Sequence, residues 1–200
     1  NKAIEIDENL IDAKLLLGST YEDVGEYDKA MDIYIPALKQ AKELGDKNGI
    51  GISLNKIGVV HWNKGDYDKA LDDFKKSLAI QEELGDKRGM GYSLNNIGLV
   101  HYYKGDYGKA AEYIEKSLAI QKEIGFKGLE LFTTTYLYIS YKHLSKDYDE
   151  KDIHSLIKDA EKIEFELNFR LYQLLEDTSY LETAYKQVQE NASEMDEALA

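Results

Sequence analysis

From Leu54 the chain reads LNKIGVVHWNKGDYDKALDDFKKSLAIQEELGDKRGMGYS, and from Leu94 it reads LNNIGLVHYYKGDYGKAAEYIEKSLAIQKEIGFKGLELFT. About half of the positions in these two forty-residue windows are identical, and no gap separates them. A self-similarity of this period marks a stack of supersecondary units, each burying its apolar face against the next. One step back, Lys14 opens KLLLGSTYEDVGEYDKAMDIYIPALKQAKELGDKNGIGIS, which keeps the glycines, Tyr27, Ala30 and the Leu44-Gly45-Asp46 ending. One step forward, Thr134 opens TTYLYISYKHLSKDYDEKDIHSLIKDA, weaker and longer by one residue near Lys146 and Asp147. The predicted units are therefore 14–53, 54–93, 94–133 and 134–173.

Each unit splits into two helices at its own punctuation. In the second, Leu54, Ile57, Gly58 and Val60 mark a packed helical face, and Gly65 ends that helix where a positive φ is easiest. Asp66 is placed to cap the next helix, about Tyr67 to Leu84, whose packed side carries Ala70, Leu71, Phe74, Leu78 and Ile80. Gly85 and Asp86 repeat the stop-and-cap pair. Antiparallel helices approach closely only where side chains are small, so Gly18, Gly58 and Gly98 are expected to face Ala30, Ala70 and Ala110. Pro36 falls inside the first unit's second helix, where it removes one hydrogen bond and bends the helix slightly.

Composition agrees with this reading and removes several function classes. One proline beside fifteen glycines in 200 residues leaves little of the turn chemistry that sandwiches and mixed folds use. A net charge of −13 speaks against gripping a nucleic acid or an anionic membrane, so neither is expected as a partner. Zero cysteines remove disulfides, Cys-type zinc sites and thiol nucleophiles, and fit a reducing, cytoplasmic setting.

The pattern resembles the tetratricopeptide repeat, a large residue, then Leu-Gly, Tyr, Ala and an aromatic. Here it reads Leu54, Ile57-Gly58, His61, Ala70 and Phe74, or Lys14, Leu17-Gly18, Tyr21, Ala30 and Tyr34. The usual unit has 34 residues and this one is longer by six. That spacing, with its Leu-Gly-Asp joint, is similar to the repeats of kinesin light chains, of the Leu-Gly-Asn proteins that orient spindles, and of bacterial peptide-sensing regulators. The resemblance implies an all-α fold, a right-handed superhelix (α-solenoid) of antiparallel helix pairs. Residues 1–9 read as the end of a preceding repeat, with Ala3 standing 34 residues before Ala37; the mid-repeat start without Met suggests a fragment of a longer protein. Residues 174–190 read as a degenerate terminal helix, and 191–200 as a tail that frays.

Candidate chemistry is sparse. His61 and His101 recur one repeat apart, too far to share a metal ion, and occupy the place where the family has Tyr; packed, hydrogen-bonded histidines are expected. The joints Gly45 to Gly51 and Gly85 to Gly91 lack the spacing of phosphate loops and follow a helix, so they read as helix stops. No nucleophile pattern is present, and no enzyme activity, cofactor or metal is expected.

What remains is a surface. Positions separated by three, seven and ten lie on one helical face, and the family's first helices line its concave side. The side opposite the packed one gives Ile52, Asn55, Val59 and Trp62, then Tyr92, Asn95, Leu99 and Tyr102, then Phe132, Thr135, Ile139 and Lys142. The first unit contributes Asp12, Leu15, Ser19 and Glu22, an acidic end. In the resembling families asparagines matching Asn55 and Asn95 hold partner backbones, and Trp62 and Tyr102 supply rigid contact area. The Lys and Asn grip on a terminal carboxylate used by chaperone-binding members is missing, because its places carry Leu15, Ser19, Asn55, Val59, Asn95 and Leu99. The expected function is a non-enzymatic protein-interaction module that takes an extended or helical peptide of neutral to basic character. The alternative is the sensor or regulatory region of a larger bacterial signalling protein, such as a kinase, cyclase or transcription regulator. Self-association is a further expectation, since the ends of such a stack expose apolar helix faces.

Overall fold

A computed structural model describes the backbone of residues 2–160 and 162–199, and side chains over 10–160 and 162–191. Among the described residues there are ten α-helices and no strand. The chain divides into two compact units, Asn1–Asp106 and Tyr107–Ala200. The first holds α1 (Lys2–Asp23), α2 (Tyr27–Leu44), α3 (Lys47–Asn63), α4 (Tyr67–Leu84) and α5 (Lys87–Tyr103). The second holds α6 (Tyr107–Glu123), α7 (Glu130–His143), α8 (Glu150–Asp159), α9 (Phe165–Leu175) and α10 (Thr178–Leu199), with a short 3₁₀ turn at Lys127–Leu129.

Every joint in the regular part is set by glycine. Gly25, Gly45, Gly65, Gly85, Gly105 and Gly125 all have positive φ, between 66° and 81°, so a left-handed residue recurs every twenty positions and closes each helix in turn. The next step of twenty reaches Ser145, which adopts φ 52° without being glycine. Around it the repeat loosens. Six residues, 144–149, join α7 to α8 where three, 64–66, join α3 to α4, and α8 has 10 residues against 18 in α4.

The glycine-rich joints divide their glycines between three duties. Gly45 and Gly85 are left-handed helix stops. Asp46 and Asp86 then cap α3 and α5, accepting from the backbone N–H groups of Gly49 at 2.9 Å and Gly89 at 3.0 Å. A Cβ at Gly49 would lie 2.2 Å from Asp46 Oδ2, so the cap itself requires glycine there. Gly51 lets α4 close in, and its carbonyl accepts from Ser77 Oγ at 2.7 Å. The α3 and α5 N-termini are thus already filled by the chain's own carboxylates. Asp66 differs from the expectation: at φ −80°, ψ 59° it makes no side-chain cap, and its Oδ2 pairs with Lys69 Nζ at 2.7 Å.

The nearest neighbours of the small residues in α1 and α3 are aromatic rings one turn on from the alanines expected to face them. A Cβ on Gly18 would sit 2.2 Å from Tyr34 Cε1, and one on Gly58 would sit 2.7 Å from Phe74 Cε1. Ala30 and Ala70, one turn earlier than those rings, are fully buried beside them. The core of the first unit gathers Ile11, Leu15, Ala30, Tyr34, Ala37, Ala41, Ile57 and Val60. Burying each large member stabilises the fold by roughly 1.5–3 kcal/mol. Leu15, expected on an open face, is in this core. Tyr34 hydroxyl hydrogen-bonds Glu22 Oε2 at 2.8 Å and Ser19 Oγ at 3.3 Å, so those two residues also serve the fold. Burial and the neighbouring carboxylate push this phenol well above its ordinary range.

Two ion pairs tie successive steps of the first unit at an identical spacing of 36 residues. Lys64 reaches Asp28 at 2.7 Å and Lys104 reaches Asp68 at 2.6 Å, and each lysine holds its carboxylate below the usual range. In the following step the acidic position is Gly108.

The termini depart from the sequence expectation. Helix α1 is continuous from Lys2 to Asp23, with no break near residue 9, because no glycine stands between Asn1 and Lys14 to stop it. The side chains of 1–9, Ala3 included, lie outside the described residues. At the other end α9 and α10 meet at 176–177, so the expected boundary at 173 falls inside α9, and helix α10 extends to Leu199. The side chains of the expected tail beyond residue 191 lie outside the described residues. Pro36 sits inside α2, as its position in the sequence requires.

Candidate interaction groove

Within the first unit α3 packs alongside both α4 and α5, and a groove opens on the α3 and α5 side. Its volume is about 450 Å³, and it is lined by Ile52, Asn55 and Lys56 of α3, Gln81 of α4, the Asp86 joint, and Arg88, Gly89 and Tyr92 of α5. Tyr92 is 40% exposed, more open than the half-buried Ile52 beside it. Ile52 is half-buried, with its inner side on the first core cluster. Lys56 Nζ stands 3.9 Å from Glu22 Oε2.

The floor of this groove is a polar network. Ser77 Oγ donates to Gly51 O, Ser93 Oγ donates to Gln81 Oε1 at 2.7 Å, and Asn55 Nδ2 donates to Ser93 Oγ at 3.1 Å. Asn55 Oδ1 in turn accepts from Asn96 Nδ2 at 3.4 Å. Both ends of the Asn55 amide are engaged within the chain, which makes it a wall of the groove rather than an open hook.

The twelve residues expected on one open face do not stay together. Ile52, Asn55 and Tyr92 line the groove, and Val59 and Trp62 continue along α3 half-buried, Trp62 meeting the Tyr103 ring edge-on at 5.6 Å. Asn95, Leu99 and Tyr102 are buried, at 3, 5 and 8% exposure, and so are Thr135 and Ile139. Thr135 Oγ1 donates back to Leu131 O at 2.7 Å, inside its own helix. Phe132 leans on the Tyr136 ring at 4.8 Å. Lys142 has structural employment: its ammonium donates to Gln173 O and Leu174 O, both at 3.1 Å, and to Glu176 Oε1 at 2.7 Å, closing the C-terminus of α9. The groove also takes residues that the three-seven-ten rule passes over. Lys56 lies four positions after Ile52 and Arg88 four before Tyr92, so adding the i±4 neighbours of each apolar residue finds both.

The histidines occupy packed places. His61 Nδ1 lies 2.7 Å from Asp73 Oδ2, and His101, 8% exposed, lies 3.8 Å from Asp106 Oδ2. Among the described residues no group of three or more His, Cys, Asp or Glu side chains is placed to hold a metal ion. No described helix is long and apolar enough to cross a membrane.

Comparison with solved structures shows the same architecture in proteins of low identity. The apo form of RapI superposes with a TM-score of 0.76 at 16% identity, over 92% of this chain and 54% of RapI, so the chain spans about half the length of that protein. Nearly identical tetratricopeptide-like repeats assigned to a kinesin light chain of P. anserina give 0.62 at 16% identity, over 92% of this chain and 96% of theirs. A Signal Transduction ATPase with Numerous Domains from Pyrococcus horikoshii, which carries a tetratricopeptide repeat sensor, gives 0.58 at 19% identity, over 77% of this chain and 22% of its own. No curated protein sequence matches the chain. The tetratricopeptide repeat family model matches residues 10–83 and 49–123, together more than half of the 200. By that match the chain belongs to the tetratricopeptide repeat family.

Proposed function

We propose that the chain is a protein-interaction module and that the groove between α3 and α5 is where a partner segment docks. The observation that carries this is the lining: Ile52 and Tyr92 offer apolar contact while Lys56 and Arg88 stand beside them, over a floor made rigid by the Asn55, Ser93 and Gln81 network. A pre-formed floor spares the ordering cost that a flexible site would meet on binding. The segment that fits presents one apolar side chain with a hydrogen-bond acceptor next to it, in extended or helical form. The net charge of −13 favours a partner whose wider surface is neutral to basic. The fold is typically a non-catalytic scaffold, and we assign it no reaction, cofactor or nucleic acid; a cytoplasmic setting fits the cysteine-free sequence. Val59 and Trp62 extend the contact along α3, whereas Asn95, Leu99, Tyr102, Thr135 and Ile139 act behind the surface, Phe132 is half-buried against Tyr136, and Lys142 is an exposed cation engaged with the end of α9.

The test is selection of peptides from a displayed random library on the wild-type chain, followed by fluorescence anisotropy of the selected peptide. Tyr92→Ala and Ile52→Ala should each weaken binding by about tenfold or more, with helicity unchanged. Failure to select any peptide, or unchanged affinity in both variants, refutes the groove. A second reading, a sensor region within a signalling protein, is supported by the repeat sensor of the Pyrococcus horikoshii ATPase. It predicts that peptide binding alters amide exchange far from α3 and α5, whereas a plain scaffold confines the change to the groove.

A further inference from the structure

On α7 a stripe that the earlier repeats keep apolar has turned polar. Counting back by one and two repeat periods, Glu130 stands where Met90 and Ile50 stand, Thr134 where Leu94 and Leu54 stand, and Tyr138 where Gly98 and Gly58 stand. The three are spaced by four, so they share one side of α7. In the earlier repeats the middle place belongs to the core, Leu54 and Leu94 each being 7% exposed. Thr134 is as deep, at 3%, and its hydroxyl has no hydrogen-bond partner among the described residues. Other hydroxyls of the same helix are satisfied locally: Thr135 and Ser140 donate to the carbonyls of Leu131 and Tyr136, four residues earlier, at 2.7 and 2.8 Å.

All three stripe residues line one hollow of about 150 Å³, which residues of α6 and α8 complete. Leu118 of α6 and Leu156 of α8, both half-buried, give it an apolar wall. Its charged groups are the carboxylates of Glu130 and Asp152 and the ammonium of Lys122, an excess of one negative charge. The Tyr138 hydroxyl donates to Asp152 Oδ2 at 3.1 Å and so ties that carboxylate to the wall. A leucine at position 134, the residue of the two preceding repeats, would fill space here and leave no polar atom unmatched. A place where the chain forgoes that stability, with an orphan hydroxyl on the wall of a charged hollow, has the character of a binding site.

We propose that this hollow is a second binding site and that it takes an alkylammonium group. The methylenes lie against Leu118 and Leu156, and the charged nitrogen donates to Glu130, Asp152 and the Thr134 hydroxyl. An anion would meet two carboxylates, and a purely apolar group would leave Thr134 without a partner. A lysine side chain of a partner segment and a free diamine carry this same group. The site lies within the second unit and shares no residue with the groove of α3 and α5, so either can fail without the other.

Backbone amide shifts, followed by nuclear magnetic resonance on the 200-residue chain, test this with three probes at up to about 20 mM. They are Nα-acetyl-lysine methylamide, its uncharged counterpart Nα-acetyl-norleucine methylamide, and cadaverine. The lysine derivative should shift amides of α7 and α8 with a Kd of about 1 mM or tighter, and the norleucine derivative should bind at least about tenfold more weakly. Cadaverine binding tenfold or more tighter than the lysine derivative assigns the site to a free diamine; equal or weaker binding assigns it to a partner's lysine. Thr134→Leu should raise the thermal midpoint and abolish the shifts. Glu130→Gln should leave the midpoint near wild type and weaken binding several-fold. Absence of shifts around the hollow with both ammonium probes, equal affinity for norleucine, or binding unchanged in both variants overturns the proposal.

Discussion

Ser93 Oγ donates to Gln81 Oε1 at 2.7 Å in the interior of the first unit, and the pair is one turn of a network that recurs down the chain. One period later Gln121 Nε2 donates to Ser117 Oγ at 2.9 Å and to Thr133 Oγ1 at 3.0 Å. One period earlier the partners have become Ala37 and Ala41, and the serine that remains, Ser53, keeps a buried hydroxyl with no hydrogen-bond partner among the described residues.

That contrast makes the two serines behave oppositely. Ser93→Ala removes a group on which both Gln81 and Asn55 depend, leaving buried polar atoms unmatched, and should cost about 1–3 kcal/mol. Ser53→Ala removes an atom whose hydration was given up for nothing, and should be neutral or stabilising by up to about 1 kcal/mol. Urea unfolding of the two variants side by side decides it; equal losses would mean that the Ser53 hydroxyl is satisfied in solution.

Gly58 should resist even the smallest enlargement. A methyl group there meets the Phe74 ring at 2.7 Å, and Phe74 is 1% exposed, with no free space to retreat into. Gly58→Ala is expected to cost about 1–3 kcal/mol despite alanine's better helix propensity. In a Phe74→Leu background the same substitution should cost less than half as much, a coupling that a double-mutant cycle measures. Additive losses would place the clash elsewhere.

The recurrence of glycine explains why the helices and their ends were legible in the sequence. A left-handed stop every twenty residues is a local requirement, written at the residue that meets it. The open face was less legible, because exposure depends on what other helices cover. Asn55 and Asn95 hold the same place in successive units, yet one borders a groove and the other is 3% exposed. Lys142 read as a surface cation, and is one, but its acceptors lie 31 to 34 residues further on, beyond any spacing that the repeat specifies. Gly18 and Gly58 were recognisable as close-packing sites, while their aromatic partners needed the rotation of the facing helix to be known.

Ser145 is where the glycine rhythm breaks. Its φ of 52° places a side chain in the left-handed region, at a cost of roughly 1–2 kcal/mol that glycine avoids. Ser145→Gly should raise stability, the gain being trimmed to about 1 kcal/mol or less by the extra freedom of glycine in the unfolded chain. An unchanged or lowered urea midpoint would show that the α7 to α8 joint relaxes out of this conformation.

Lys142→Met separates a structural lysine from a ligand-gripping one. With the α9 C-terminus uncapped, amide exchange in the last turn of α9 should quicken, and Glu176, now held below the usual carboxylate range by this ammonium, should titrate nearer its ordinary value. Binding of a groove-selected peptide should not change. A large loss of affinity with α9 exchange unaltered would return Lys142 to the interaction surface.

Alkaline unfolding offers a check on the second unit. Tyr138 is buried and its hydroxyl donates to Asp152 Oδ2 at 3.1 Å; burial first, then this carboxylate, push the phenol up to about 12. The unfolded chain ionises this tyrosine near pH 10, so the folded state keeps its full advantage below that value and loses it progressively as the pH climbs towards 12. Tyr138→Phe should cost about 1 kcal/mol at neutral pH through the lost hydrogen bond, yet it carries no ionisable group to penalise folding. The stability gap between wild type and variant should therefore narrow between pH 10 and 12. Denaturant titrations at neutral pH and at two alkaline values measure that gap, and one that stayed constant would mean that Tyr138 ionises as readily in the folded chain as in the unfolded one.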